Sequence, residues 1–80
     1  MRLDKYLKVS RIIKRRSVAK ETIDANLVLL NDKFAKASSE VKVGDELTIN
    51  NKGLKTKYKV TKILEHATEE MAKTMFEKVD

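Results

Sequence analysis

The first fourteen residues alternate apolar and polar positions with a period close to that of an α-helix. One arc of the helical wheel carries the residues that can pack on a core: Leu3, Tyr6, Leu7, Val9, Ser10 and Ile13. The opposite arc, where only Ile12 is apolar, carries charged side chains: Asp4, Lys5, Lys8, Arg11, Arg15 and Arg16. The pattern predicts an amphipathic helix over residues 2 to about 14, with a basic outer face.

A second, shorter helix is predicted over residues 18 to about 25, with the Ser17 hydroxyl as its N-cap. Its N-terminus has an unfavourable charge, because Arg15 and Arg16 precede it and Lys20 lies in its first turn. A helix N-terminus carries partial positive charge and favours acidic groups. This placement predicts that an anion binds there, and a phosphate is the natural candidate.

After Asn26 the pattern changes to short segments typical of β-strands. Residues 27–30 form an apolar run that predicts a strand ending in a turn at Asn31 and Asp32, which tolerate left-handed backbone. Residues 33–39 fit either a short second strand or an irregular loop, and a further turn is predicted at residues 43–45.

Two more strands are predicted over residues 46–50 and 54–60, with a turn at residues 51–53 between them. Lys55, Lys57 and Lys59 share one face of the second of these strands. We interpret this lysine face as the solvent side of an edge strand protected against aggregation. A secondary nucleic-acid contact is the alternative.

Residues 68–79 return to a helical period. Thr68 is a plausible N-cap, and the apolar side of this predicted helix includes Met71, Met75 and Phe76. Methionine adapts well to irregular surfaces, so this face could bind a partner. We favour packing of the helix against its own domain.

Composition narrows the class of protein. The chain has 80 residues, no cysteine and a single histidine, His66. We expect one domain over residues 1–80, a reducing cytoplasmic location, no disulfide, no metal and no cofactor. The longest apolar run, residues 27–30, is far shorter than the roughly 20 residues that a membrane span needs.

The positive charge is concentrated at the N-terminus. Residues 1–20 carry a net charge of +7, residues 21–64 carry +2 and residues 65–80 carry −3. This asymmetry predicts that the N-terminal quarter meets a polyanionic partner. A solvated basic helix that only aids solubility is the alternative, and the charge at the start of the second helix argues against it.

The sequence offers no site for catalysis. It contains no Gly-rich phosphate loop, no paired-histidine helix and no serine with a plausible base partner. His66 stands alone beside Glu65 at a strand-to-helix junction, where a histidine is usually a surface residue. We therefore expect a binding module rather than an enzyme.

The order of several short motifs resembles the S4 RNA-binding domain over residues 1 to about 50. The matching segments are residues 2–7 (RLDKYL), 15–21 (RRSVAKE), a strand ending at Asn31, 36–39 (KASS) and 43–47 (VGDEL). Within that family, the length of the chain and the segments 2–5 and 7–11 most resemble ribosome-associated quality-control members, which are akin to the fifteen-kilodalton heat-shock protein. Asn26 and Asp32 stand where the family commonly has glycine. Residues 51–64 (an extra strand) and 65–80 (the predicted C-terminal helix) are matched weakly.

The resemblance implies an α+β fold in which two N-terminal helices pack on a small, curved, mainly antiparallel sheet, with a C-terminal helix. It also implies binding to the split large ribosomal subunit, with large-subunit ribosomal RNA and the peptidyl-site transfer RNA as partners. The partner RqcH would add alanine tails to the stalled chain on the same particle. We expect a monomer with no membrane partner.

Six basic side chains are the candidate RNA-binding residues: Arg2, Lys8, Arg11, Arg15, Arg16 and Lys20. Arg2 and Arg16 match family positions, and Asp4 of the same motif is expected to orient a nearby arginine or to favour the start of the first helix. Two other functions remain open. One is a generic RNA chaperone or ribosome-assembly factor, and the other is a protein–protein adaptor that uses the C-terminal helix.

Overall fold

The computed structural model describes residues 1–79 and contains helices and strands in mixed order. The helices are α1 (Leu3–Val9), α2 (Arg16–Asp24) and α3 (Glu69–Ala72), and a short 3₁₀ helix covers Lys73–Met75. The strands are β1 (Val28–Leu30), β2 (Lys33–Phe34), β3 (Glu46–Asn51), β4 (Leu54–Val60) and β5 (Phe76–Val79). This α+β arrangement confirms the predicted fold class.

The five strands form one antiparallel sheet in the order β2-β1-β3-β4-β5. Two of its turns are two-residue hairpin loops whose central residues all have positive φ. These are Asn31 (52°) and Asp32 (65°) between β1 and β2, and Lys52 (53°) and Gly53 (81°) between β3 and β4. Such loops match the twist of the strands they join, and both turns lie where the sequence predicts them.

The hydrophobic core lies between the N-terminal helices and one face of the sheet. Its fully buried side chains come from α1, α2, three strands and the 3₁₀ helix: Leu3, Tyr6, Leu7, Ala19, Ile23, Val28, Leu47, Val60 and Met75. Helices α1 and α2 also pack against each other. One face of each helix is therefore fixed on the core, and the other is free to carry charge.

The first helix is shorter than predicted, because α1 ends at Val9 rather than near residue 14. Arg11 has a left-handed φ of 63°, and its N–H donates to the Lys8 carbonyl at 3.1 Å. A left-handed residue just beyond the last turn is a common way to end a helix. Residues 11–15 therefore form a connection between α1 and α2, and Arg11 is not on the helix.

The predicted helix over residues 68–79 is wrong for most of its length. The Thr68 side chain accepts a hydrogen bond from the Met71 N–H at 3.2 Å, as a cap should, but α3 ends at Ala72. Residues Phe76–Val79 form β5, which pairs with β4.

One methionine of the predicted apolar helix face is not available to a protein partner. Met75 is fully buried, and its carbonyl accepts a 2.8 Å hydrogen bond from the Tyr6 hydroxyl. Met75 is thus committed to the domain's own core, which agrees with the expected packing of this segment on its own domain.

The interpretation of the lysine face of β4 as the solvent side of an edge strand is wrong. β4 lies between β3 and β5, so it is not an edge strand. Lys57 on this face lies 3.7 Å from a Glu46 carboxylate oxygen and 4.0 Å from one of Asp32. Protection of an open edge therefore does not explain these lysines.

Candidate nucleic-acid interface

Arg2 is anchored through its backbone although it lies next to the chain terminus. It forms an isolated β-bridge with Glu40, and the flanking Leu3 N–H donates to the Ser39 carbonyl at 2.8 Å. The terminal ammonium of Met1 pairs with the Glu40 carboxylate at 2.6 Å. The backbone that carries the Arg2 side chain is therefore part of the folded structure.

Arg2 and Arg16 meet on one buried carboxylate, that of Asp4. Arg2 donates from Nε to Oδ1 at 3.2 Å and from Nη2 to Oδ2 at 3.3 Å. Arg16 donates from Nη2 to Oδ1 at 3.4 Å, and its Nε lies 3.3 Å from Oδ2. Asp4 comes from the first turn of α1 and Arg16 from the start of α2. Because a guanidinium has five N–H donors, both arginines keep donors for a further acceptor.

The electrostatics of this Arg2–Asp4–Arg16 cluster favour an ionised carboxylate. Burial raises the pKa of Asp4, but hydrogen bonds from Arg2, Arg16 and the Lys5 N–H outweigh it and hold the pKa below the ordinary value. The Asp4 side chain is 5% exposed, whereas those of Arg2 and Arg16 are 52% and 48% exposed. The cluster carries one net positive charge and presents two positioned guanidinium groups to solvent.

The start of α2 lies beside this cluster. Arg15 occupies the N-cap position with extended backbone (φ −116°, ψ 132°), no side chain caps the helix, and its first turn contains no acid. The predicted Ser17 cap is wrong, because α2 begins at Arg16 and Ser17 is already inside the helix. The first amides of a helix without a cap can donate to an anion.

The remaining candidates are all exposed, but they do not lie on one helix face. Lys20 follows Arg16 by one turn of α2, a spacing that places both side chains on the same side of the helix. Lys8 is on α1, and Arg11 lies beyond the end of that helix. Lys8 and Arg11 line one depression beside His66.

Lys14 was missed by the sequence reasoning. It lines the same depression as Arg11 and also a second one that is bounded by Lys73. On the helical wheel of a helix that runs to residue 14, Lys14 falls on the apolar arc, but the helix in fact ends at Val9. Recognising a helix end near Ser10 would have placed Lys14 with the basic residues.

The comparisons with known proteins identify the family of the chain. Residues 1–47 match the S4 domain model, which covers more than half of the chain. The chain therefore belongs to the S4 domain family of RNA-binding domains.

Its relatives include proteins named "RQC P-site tRNA stabilizing factor". The one from Halalkalibacterium halodurans is 44% identical over 96% of this chain and 88% of the relative. The one from Bacillus subtilis is 63% identical, over 61% of this chain and 57% of the relative. The chain belongs to this group of S4 proteins, which confirms the resemblance to quality-control members of the family.

A solved structure extends the likeness to the whole fold. The trimeric structure of Vibrio cholerae Heat Shock Protein 15 is 26% identical, with a TM-score of 0.90 over 99% of this chain and 81% of that one. The likeness therefore includes residues 51–79, where the sequence match to the family was weak. Among the described residues 1–79, no helix is long and apolar enough to cross a membrane.

Proposed function

We propose that this protein is a non-catalytic RNA-binding factor of bacterial ribosome-associated quality control. In this proposal it binds the split large ribosomal subunit and stabilises the peptidyl-site transfer RNA while RqcH adds C-terminal alanine to the stalled chain. Membership of the S4 family and the name of its relatives support the proposal. The single observation that carries it is the pairing of Arg2 and Arg16 on Asp4.

The proposed mechanism depends on the positions of these two guanidinium groups. Each is held on its inner side by Asp4, so less rotamer freedom is lost when its outer side meets a phosphate. A planar guanidinium can hold a phosphate through two hydrogen bonds, which fixes orientation as well as distance. In this arrangement, Arg2 and Arg16 would bridge phosphates of structured RNA.

The other basic candidates extend this contact. Arg15 and the free amides at the start of α2 would meet a phosphate next to the cluster, and Lys20 would meet one a helical turn further on. Lys8 and Arg11 would contact RNA beyond the end of α1. Contacts of this kind position a protein on RNA without reading its sequence, which suits a factor that recognises a ribosomal particle.

We further propose that the chain acts as a cytoplasmic monomer. Its RNA partners would be large-subunit ribosomal RNA and the peptidyl-site transfer RNA, and RqcH would occupy the same particle. No membrane or cofactor enters this function.

Sucrose-gradient sedimentation of cell lysate, with peptidyl-transfer RNA measured in each fraction, tests the proposal. We expect the protein on free large subunits that retain peptidyl-transfer RNA, and we expect high salt to release it. An even distribution over all ribosomal particles would instead indicate a general RNA chaperone or an assembly factor. Absence from all ribosomal particles would contradict ribosome binding of either kind and would favour the protein–protein adaptor.

A matched pair of variants tests the contribution of the cluster. The double variant Arg2→Gln with Arg16→Gln should reduce large-subunit binding and lower the salt slope by about two, because two phosphate contacts are lost. The control Lys59→Gln with Lys78→Gln removes the same charge from exposed positions on β4 and β5. Equal loss of binding in the two double variants would mean that only total charge matters.

A further inference from the structure

The face of the sheet opposite the helices carries an uncovered row of side chains that includes an exposed aromatic ring. Cross-strand pairing aligns five side chains from one edge of the sheet to the other: Phe34, Leu29, Thr48, Lys57 and Val79. Directly paired residues of antiparallel strands point to the same face. Val28 and Leu47, which point to the other face, are buried in the core. The outer row is therefore separate from both the core and the Arg2–Asp4–Arg16 cluster.

Phe34 is the most exposed large apolar side chain on this surface. It is 73% exposed and lies on β2, a two-residue strand at the edge of the sheet. Its ring adds little to the core, so folding does not explain its presence. Exposed aromatic rings on a sheet are typical stacking platforms for unpaired nucleic-acid bases.

Polar groups surround the ring in a small hollow. The hollow is lined by Phe34 and Leu29 together with Asn26, Thr48, Asn50 and Lys55. The Asn50 Oδ1 atom is buried and accepts no hydrogen bond from the described residues. A buried acceptor without a donor is costly, so this atom favours a ligand that brings an N–H group.

The charge of the hollow differs from that of the rest of the outer face. Lys59 pairs across the sheet with Glu46 and Glu77, and Lys57 lies near Glu46, so acids balance both. Lys55 pairs with Asn50 and forms no ion pair with an acid in residues 1–79. Among residues 1–79, the lysine of this face with no acid across from it or within ion-pair distance is therefore Lys55, beside Phe34, and it would attract an anionic ligand.

We propose that this hollow binds one unstacked base of single-stranded RNA. The base stacks on the Phe34 ring, the Asn50 side chain turns so that its buried Oδ1 accepts from an amino group of the base, and Lys55 contacts the adjoining phosphate. The inference rests on the proposed function for its class of ligand, RNA, but it uses a different surface. The protein would then hold structured RNA with its helices and a single strand with its sheet.

Binding of short oligonucleotides tests this directly. The probe is a fluorescein-labelled six-nucleotide oligoadenylate, because adenine stacks well and its amino group can donate to Asn50. Its control is an abasic oligomer of the same length and charge, and binding is followed by fluorescence anisotropy. We expect Phe34→Ala to weaken oligoadenylate binding by about 5- to 100-fold, the range for loss of one base–aromatic stack, and to leave abasic binding unchanged.

Further variants separate stacking from charge and from fold. Phe34→Tyr should bind oligoadenylate like the unaltered protein, and Lys55→Gln should weaken binding of both oligomers. Val43→Ala removes a side chain that is 61% exposed and lies before β3, outside the hollow, so it is the matched control for lost apolar surface. Thermal melting establishes that each variant is folded.

The outcomes distinguish this inference from the proposed function. Equal oligoadenylate affinity for Phe34→Ala and Val43→Ala would overturn the sheet site even if Arg2 and Arg16 variants lose the ribosome. Stacking-dependent binding at Phe34 would support it even if the protein never sediments with large subunits. Amide NMR shifts at Leu29 and Thr48 that follow protein concentration rather than added RNA would overturn it and indicate a contact between copies.

Discussion

The replacement Asp4→Asn tests whether a buried acid positions the two arginines. It keeps the size of the side chain but removes the charge that accepts from Arg2 and Arg16. A hydrogen bond to a charged group contributes about 1.5–3 kcal/mol, and removing one partner of a fully buried ion pair costs about 3–5 kcal/mol. Because both guanidinium groups are about half exposed and can return to water, we expect a loss of about 1–2 kcal/mol. The midpoint of thermal unfolding should fall by about 4–16 °C.

The pH dependence of this loss has a definite sign. Burial raises the pKa of Asp4, but the hydrogen bonds from Arg2 and Arg16 lower it more, so the folded-state pKa lies below the ordinary value of 3.8. The ionised carboxylate therefore contributes its full stability above the unfolded pKa, and this contribution is lost as pH falls through the folded pKa. The difference in unfolding free energy between the unaltered protein and Asp4→Asn should be constant above about pH 5 and should shrink below about pH 4. A difference that grows on acidification would contradict the assignment of an ionised Asp4.

RNA binding by the same variant distinguishes positioning from neutralisation. If Asp4 positions the arginines, Asp4→Asn should bind large subunits about 5- to 10-fold more weakly, because two long side chains must be ordered on binding. The control Glu40→Gln removes the same charge from an acid that is 60% exposed and pairs with the Met1 ammonium. Tighter binding by both variants would refute the reasoning, since Asp4 would then only reduce the positive charge.

Three further changes test other parts of the structure. Arg11→Gly should raise the unfolding free energy by about 1 kcal/mol, because glycine adopts the left-handed φ of 63° without strain. Arg11→Ala keeps the Cβ and should leave the unfolding free energy unchanged, and both variants should weaken ribosome binding in sedimentation assays. Tyr6→Phe should lower stability by about 1 kcal/mol, measured by urea unfolding, through loss of the hydrogen bond to the Met75 carbonyl, and should leave RNA affinity unchanged. Lys52→Asn should raise the thermal midpoint by a few degrees, since asparagine before Gly53 suits a turn in which both central residues have positive φ.

Local signals account for what the sequence predicts well. The strand over residues 54–60 has the predicted bounds, because its alternation spans seven residues and glycine marks the turn before it. Asn26, Asn31 and Asp32 have a left-handed backbone, and asparagine and aspartate are the residue types, after glycine, that tolerate it best. The same logic missed Arg11, because arginine gives no sign of a left-handed backbone.

Non-local pairing accounts for the largest error. Residues 76–79 have a helical pattern, yet they form β5, because their backbone completes hydrogen bonds with β4. The helical period needs Met75 and Phe76 on one apolar side. The structure instead buries Met75 in the core and sets the Phe76 ring edge-on to Tyr58, with ring centroids 5.4 Å apart. Secondary-structure propensity is a weak prior when tertiary contacts compete with it, and the lysines of β4 then lie inside the sheet rather than at its edge.

The candidate site depends on a local feature, the run of basic residues, and on a non-local one, the contacts that bring two of them to Asp4. The charge pattern therefore indicates the basic segment but not which of its residues lie together. A count of charges places the basic surface in residues 1–20, and every cation there would serve equally well in such a count. The structure distinguishes Arg2 and Arg16, because a strand-like contact with Glu40 fixes one and the start of α2 fixes the other on the same carboxylate. In the proposed function, Asp4 would lower the total positive charge of this surface and so weaken non-specific attraction to any polyanion, and it would reduce the entropy lost when both arginines meet phosphates at one spacing. We therefore expect the buried Asp4 to favour recognition of a particular RNA shape over general affinity for RNA, and the Asp4→Asn binding assay tests this expectation.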